Sequence, residues 1–160
     1  MKTSFRISFF ILLSSCILFA CTTTDLYEKT ASVPRHSWKN SFTPSFTFSI
    51  KDTTAIYQPY FIIRHNDKYG FNNIYVNLYF QAPGQAEKKL MLDLPLATDE
   101  KGWLASGMDD IYEHRIPFQI DPALLNFKRS GSYTFRIEQI MRENPLKNVL
   151  NVGLRVERKQ

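Results

Sequence analysis

Cysteine is nearly absent from this chain, whose 160 residues hold Cys16 and Cys21 and no others. No disulfide or thiolate metal site can form after residue 21, so the fold must rest on packing alone. Glycine is scarce as well, at six residues, and no segment keeps a sustained helical period. The three histidines, His36, His65 and His114, stand isolated from one another in sequence. Each has an arginine beside it, in Arg35-His36, Arg64-His65 and His114-Arg115. That positive setting disfavours both proton uptake and metal binding. No Gly-Lys-Ser/Thr phosphate loop, Gly-x-Ser-x-Gly elbow or His-Glu-x-x-His pair occurs. Nor is there a dense basic cluster: Arg155, Arg158 and Lys159 read as a solvated end. These absences argue against an enzyme, a cofactor, a metal and a nucleic-acid partner.

What the chain does have begins at its first residues. Lys2 and Arg6 precede an apolar run, Ile7 to Phe19, broken only by Ser8, Ser14, Ser15 and Cys16. The run is short for a mature membrane span and fits a bacterial secretory signal. It ends in Leu18-Phe19-Ala20-Cys21, a small residue followed at once by cysteine. That is the pattern of lipoprotein processing, in which the chain is cut before Cys21 and the thiol is acylated, palmitate being the usual class of chain. Residues 1–20 are thus expected to be a signal peptide. Loss of Lys2 and Arg6 takes the formal charge from +5 to +3, which is only mildly basic. Residues 21–40 hold Thr22-Thr23-Thr24, Ser32, Pro34 and Ser37 without a period and are expected to be the lipidated N-terminus and a flexible tether. Residues 41–160 remain for one domain, long enough for a proper core.

Thirteen Phe, eight Tyr and two Trp favour strands in that domain. Phe46, Phe48 and Ile50 alternate with Ser45, Thr47 and Ser49, the mark of a strand with one face on a core. Phe61, Ile63 and His65 alternate with Tyr60, Ile62 and Arg64, and Ile74, Val76, Leu78 and Phe80 give the clearest stripe. Ala82-Pro83-Gly84-Gln85 leads into a returning strand through Leu90, Leu92 and Leu94. Thr98 to Asp110 reads as a long polar loop, and Ile111 to Phe118 as a strand that Pro117 places at an edge or end. Asp121 to Leu125 reads as one helical turn. Tyr133, Phe135, Ile137 and Gln139 form another stripe, and Leu150, Val152, Leu154 and Val156 the last. The pattern predicts an all-β chain, a single antiparallel β-sandwich of immunoglobulin-like or jelly-roll arrangement.

Two groups of side chains carry candidate chemistry. Asp109-Asp110, with Asp99, Glu100 and Glu113 nearby, could hold calcium or supply a carboxylate pair for sugar hydrolysis. Without the alternating Asp/Asn spacing of a calcium loop, the reading preferred is a solvated loop in which Asp110 turns the chain into the next strand. Tyr69, Phe71, Tyr75, Tyr79 and Trp103 fall in loops or opposite the aliphatic stripes. They could stack on a sugar, anchor a protein partner, or form a second buried face.

The chain resembles the GldH family of gliding-motility lipoproteins from Bacteroidetes bacteria. The similarity is widest in Gly131-Ser132-Tyr133-Thr134-Phe135-Arg136-Ile137-Glu138-Gln139, Met141-Arg142, Pro145-Leu146 and Val152-Gly153-Leu154-Arg155-Val156-Glu157. Asp52, Tyr57, Ile63-Arg64-His65, Tyr69, Asn77-Leu78, Trp103, Gly107, Asp110 and Ile111 extend it over almost the whole chain. The resemblance implies a non-catalytic lipoprotein needed for movement over surfaces, anchored in the envelope by lipid. It implies partners among the envelope motility proteins linked to type IX secretion, and it brings no catalytic or cofactor residues. Trp103, Asp110, Arg142 and Tyr69 are the candidate partner-binding residues, and Cys21 the lipidation site. Thr22-Thr23-Thr24-Asp25 lacks the acid-rich run of surface-export signals, which points to the periplasmic face of the outer membrane. The alternative is a carbohydrate- or peptidoglycan-binding lipoprotein that grips glycan with Trp103 and the exposed tyrosines.

Overall fold

The structure, a computed structural model, describes residues 25–159. The signal peptide and Cys21 lie outside the described residues. Strands are numbered β1 to β13 in chain order.

The two-residue periods become strands with one face inward. β3 (Ser45–Ile50) buries Phe46, Phe48 and Ile50, and β5 (Asn73–Gln81) buries Ile74, Val76, Leu78 and Phe80. β11 (Gly131–Gln139) buries Tyr133, Phe135 and Ile137 between them. With β6 (Lys88–Pro95) they form a four-stranded sheet in the order β3-β11-β5-β6. A five-stranded sheet faces it, joining β1 (Asp25–Ser32), β13 (Val149–Lys159), β4 (Ile56–Asn66), β10 (Ile111–Pro117) and β9 (Ser106–Met108) in that order. Every pairing is antiparallel. Small ladders join β2 (Ser37–Trp38) to β12 (Leu146–Lys147) and β7 (Ala97–Thr98) to β8 (Gly102–Trp103). The inner faces meet in one aromatic core: Phe48 stacks on Tyr133 at 5.9 Å and reaches across to Tyr27 of β1 at 5.4 Å. The all-β antiparallel sandwich expected from the periods is the fold observed.

Three local expectations are corrected. From Asp25 the stretch taken as tether is a full edge strand, held against β13 from Asp25↔Glu157 to Ser32↔Asn151. Its alternation was hidden because Lys29 interrupts the inward series of Tyr27, Ala31 and Val33. The supposed loop from Thr98 to Asp110 holds two short strands, β8 and β9, and the end of a third. Asp121 to Leu125 is the single turn expected, the Asp121 carbonyl accepting from Leu124 N–H at 2.8 Å and from Leu125 N–H at 3.1 Å. In β13 a register shift between Val149 and Asn151 puts Val149 in the core, where Leu150 was expected, and leaves Leu150 half-exposed.

Gly153 shows why β1 can lie so close. It pairs with Thr30 of β1 and Ile62 of β4, and a Cβ there would sit 2.6 Å from the Lys29 carbonyl oxygen. Only glycine fits that approach.

The two ends of the sandwich differ in what they carry. One end has the start of β1, the start of β4 and the finish of β13, since Lys159 pairs with Ile56. The other has the segments after β4, between β6 and β10, and after β11.

Candidate functional site

The core stripe of β4 runs Phe61, Ile63 and then His65, so its last inward residue is polar. Across the ladder, Tyr112 of β10 pairs with His65, and His114 pairs with Ile63. Alternation therefore puts both histidines and Tyr112 on the same inner face. β8 supplies the cover: the Trp103 ring lies 4.4 Å from His65, 5.7 Å from Tyr112 and 6.1 Å from His114. Tyr69, three residues beyond β4, closes the far side at 4.8 Å from His65.

Both histidines are fully buried, with Nε2 to Nε2 at 2.9 Å. Nδ1 of His65 lies 2.7 Å from the Asn66 carbonyl oxygen, which can only accept, so that nitrogen carries the proton. In the neutral ring Nε2 of His65 is then an acceptor, and the His114 Nε2–H must donate to it. Nδ1 of His114 is left as a bare acceptor, buried and without an aligned partner. Burial holds the His65 pKa below its ordinary value. Burial first, and the neighbouring His65 second, lower His114 to about 4 against a small upward pull from the Leu104 backbone.

This corrects the reading of the histidines as isolated. Forty-nine positions separate His65 and His114 in sequence, yet the β4–β10 register brings them into contact. The arginines beside them do not create the positive setting either. Arg64 and Arg115 project to the outer face and share Glu113, at 2.6 and 3.0 Å. Burial raises the Glu113 pKa, but the two guanidiniums outweigh it and leave it lowered. Desolvation, rather than neighbouring charge, keeps the imidazoles neutral.

Asp109 and Asp110 form the two-residue connection between Met108 and Ile111, which face each other across the β9–β10 hairpin. Asp109 takes φ 58°, a conformation aspartate tolerates better than most residues, and the Asp110 carbonyl accepts from Asp67 N–H at 2.9 Å. The pair is a turn. Among the described residues no cluster of three or more His, Cys, Asp or Glu could hold a metal ion. Gly107 of β9 lies under the Tyr112 ring, whose carbons would stand 3.0 Å from any Cβ there.

This hairpin presents what the sequence reading missed. Met108 is 82% exposed, and Leu104 and Ile111 are each 41% exposed, three large apolar side chains in one short stretch. The signal was available as apolar residues inside a segment otherwise polar. A shallow cleft of about 470 Å³, lined by Leu104, Ala105, Ser106, Glu113 and Arg115, runs beside them.

All the candidate partner-binding residues fall at this end of the sandwich, in different roles. Tyr69 is buried, its hydroxyl donating to the Asn73 carbonyl at 3.0 Å, and burial followed by the Glu143 charge pushes its phenol pKa up. Trp103 is half-buried against Tyr69 at 6.2 Å. Asp110 is exposed at the hairpin tip. Arg142 is exposed beyond β11 of the other sheet and makes no ion pair among the described residues. The structure thus joins Tyr69 and Trp103 in one aromatic cluster, with Asp110 and Arg142 outside it. Of the other candidate aromatics only Phe71 touches this cluster. Phe71 packs on Tyr69 at 5.8 Å. Tyr75 is 39% exposed on the outer face of the four-stranded sheet. On that face Tyr79 is held under Arg136 at 4.6 Å and donates to Glu138 at 2.7 Å.

The model of the GldH lipoprotein family matches residues 25–156. The chain is similar to the gliding motility lipoprotein GldH of Flavobacterium johnsoniae, 26% identical over 156 residues that cover 93% of this chain and 94% of that protein. It is similar also to the gliding motility lipoprotein GldH homolog of Christiangramia forsetii, 26% identical over 166 residues covering 99% and 98% of the two chains.

Proposed function

Because this chain belongs to the GldH lipoprotein family, we propose that it is a lipid-anchored envelope protein of surface gliding that acts by docking a protein partner. Residues 1–20 are removed as a signal peptide, Cys21 carries the lipid, and the sandwich begins almost directly after it. The anchor holds it at the periplasmic face of the outer membrane, beside motility and secretion proteins. The domain does no chemistry of its own and works by where it stands and what it holds.

One observation carries the docking role: the exposed apolar group Leu104, Met108 and Ile111, with Met108 at 82%. It stands on a hairpin braced from below by Trp103, Tyr112, His65 and His114. A rigid aromatic base under projecting apolar side chains is the make-up of an interface hot spot. β9 also leaves an open sheet edge there, with Ser106, Gly107 and Met108 all exposed, which can accept a partner strand. Asp110, exposed at the hairpin tip, is the charged rim, and Arg142 is exposed on the other sheet at the same end.

The experiment is complementation of a gliding host whose own copy is deleted. Wild-type protein restores surface spreading. Met108→Lys combined with Ile111→Lys, present at wild-type level in the membrane fraction, does not. Normal spreading by that variant would remove the hairpin from the function.

A further inference from the structure

The opposite end of the sandwich carries a second surface. Ile56 is 65% and Leu124 42% exposed there. Phe127, packed on Phe48 at 6.0 Å and on Tyr57 at 5.7 Å, pins the segment between β10 and β11 across that end. Lys88 Nζ donates to the Leu124 carbonyl at 2.8 Å and fixes its position. Around the two apolar side chains Lys51, Lys128, Arg129 and Lys159 are exposed, and none forms an ion pair among the described residues. Of the acidic residues there, Asp52 pairs with Arg158 at 2.8 Å and Glu87 with Arg136 at 2.7 Å. Among the acidic side chains described at this end, that leaves Asp121 without an ion pair against four cations.

Apolar tips ringed by unpaired lysine and arginine suit the boundary of an anionic bilayer. The apolar groups enter among the headgroups while the cations meet lipid phosphates. The chain also brings a bilayer to this end and not the other. Cys21 precedes Asp25 by four residues, and four residues span at most about 14 Å in any conformation. The eleven residues of β4 put the opposite end about 35 Å further off.

We propose that this end of the sandwich rests on the membrane, with Ile56 and Leu124 in the headgroup boundary and Lys51, Lys128, Arg129 and Lys159 on anionic lipid. The hairpin of Met108 and Ile111 then points away from the bilayer, towards whatever partner it meets. The orientation rests on the reading that Cys21 carries lipid, and the two can fail separately.

Mature acylated protein in vesicles of phosphatidylethanolamine and phosphatidylglycerol with brominated acyl chains reads the orientation. Fluorescence of Ile56→Trp, after subtracting wild type, is expected to be quenched, and that of Met108→Trp unchanged. Equal quenching of the two, or none at Ile56→Trp, overturns the proposal while leaving the anchor intact. The mass of the N-terminal peptide reports acylation, and an unmodified Cys21 removes the anchor and the orientation with it. A second measurement does without the lipid. The mature chain with Cys21→Ala is expected to bind phosphatidylglycerol vesicles in a salt-sensitive way, each of Lys51→Gln, Lys128→Gln, Arg129→Gln and Lys159→Gln weakening it about fivefold. Binding that ignores all four changes overturns the lipid contact.

Discussion

His114 donates its Nε2–H to Nε2 of His65 across 2.9 Å, inside a shell of Trp103, Tyr112 and Tyr69. The bond survives one added proton but not two. The first goes to Nδ1 of His114, beside the Leu104 backbone, and leaves the Nε2–H donor in place. A second, on His65, sets two N–H groups against each other. The two histidines in contact therefore close the end of the core until both become charged.

Stability should fall as the pH is lowered through the weakly acid range. The folded pKa of His114 is depressed, to about 4 from 6.5. The unfolded chain therefore binds the proton first, and the stabilisation, full above about pH 6.5, is lost as pH drops towards 4. The loss is on the order of 2–3 kcal/mol. Lowered carboxylates such as Glu113 and Glu138 act below that window, since their contribution holds until pH falls under the ordinary carboxylate range. Urea denaturation from pH 7.5 to 4.5 should show the decline, and His114→Phe should flatten it. An equal slope in both proteins would sink the assignment.

Gly153→Ala should loosen the first strand. The new methyl meets the Lys29 carbonyl oxygen at 2.6 Å and Thr30 Cγ2 at 2.7 Å. The first of these is backbone, so the strands must separate, at a cost of about 1–3 kcal/mol. Amide exchange should quicken from Tyr27 to Ala31 and remain slow in β5 and β11. Uniform exchange changes would contradict a local effect.

The core was legible because Phe46-Phe48-Ile50, Ile74 to Phe80 and Tyr133 to Ile137 alternate cleanly, and period two has one physical reading when a face is buried. β1 was not, because Lys29 occupies an inward position near an edge where solvent is within reach. The Leu150 assignment failed at a bulge, which adds a residue that periodicity cannot count. The site was half visible. Trp103 and Tyr69 stood out as aromatics in loops, but their contact with His65 and His114 depends on a strand register that no local pattern encodes. Met108 escaped notice because a single apolar residue in a polar segment is an ordinary sight until its neighbours across a hairpin are known.

Trp103→Ala and Met108→Lys should separate support from contact. Trp103 covers His65, Tyr112 and His114, so its removal opens a cavity over the pair and should cost about 3 kcal/mol or more. Met108, 82% exposed, should leave the melting midpoint unchanged when replaced, since surface substitutions stay within about 0.5 kcal/mol. Calorimetry on both variants checks the split, and a large destabilisation by Met108→Lys would show the hairpin to be structural.

Cys21→Ala should abolish function without touching the fold. Cys21 precedes the first strand, Asp25–Ser32, so melting should match the wild type. The protein should leave the membrane fraction for the soluble one, and spreading should be lost even though the Met108 hairpin is intact. On the proposed function the domain acts by position, and a released domain has none. Transplanting the mature domain behind an unrelated lipoprotein signal should restore spreading. If the soluble form spreads as well as the wild type, the anchor serves delivery alone and the docking surface works without the membrane.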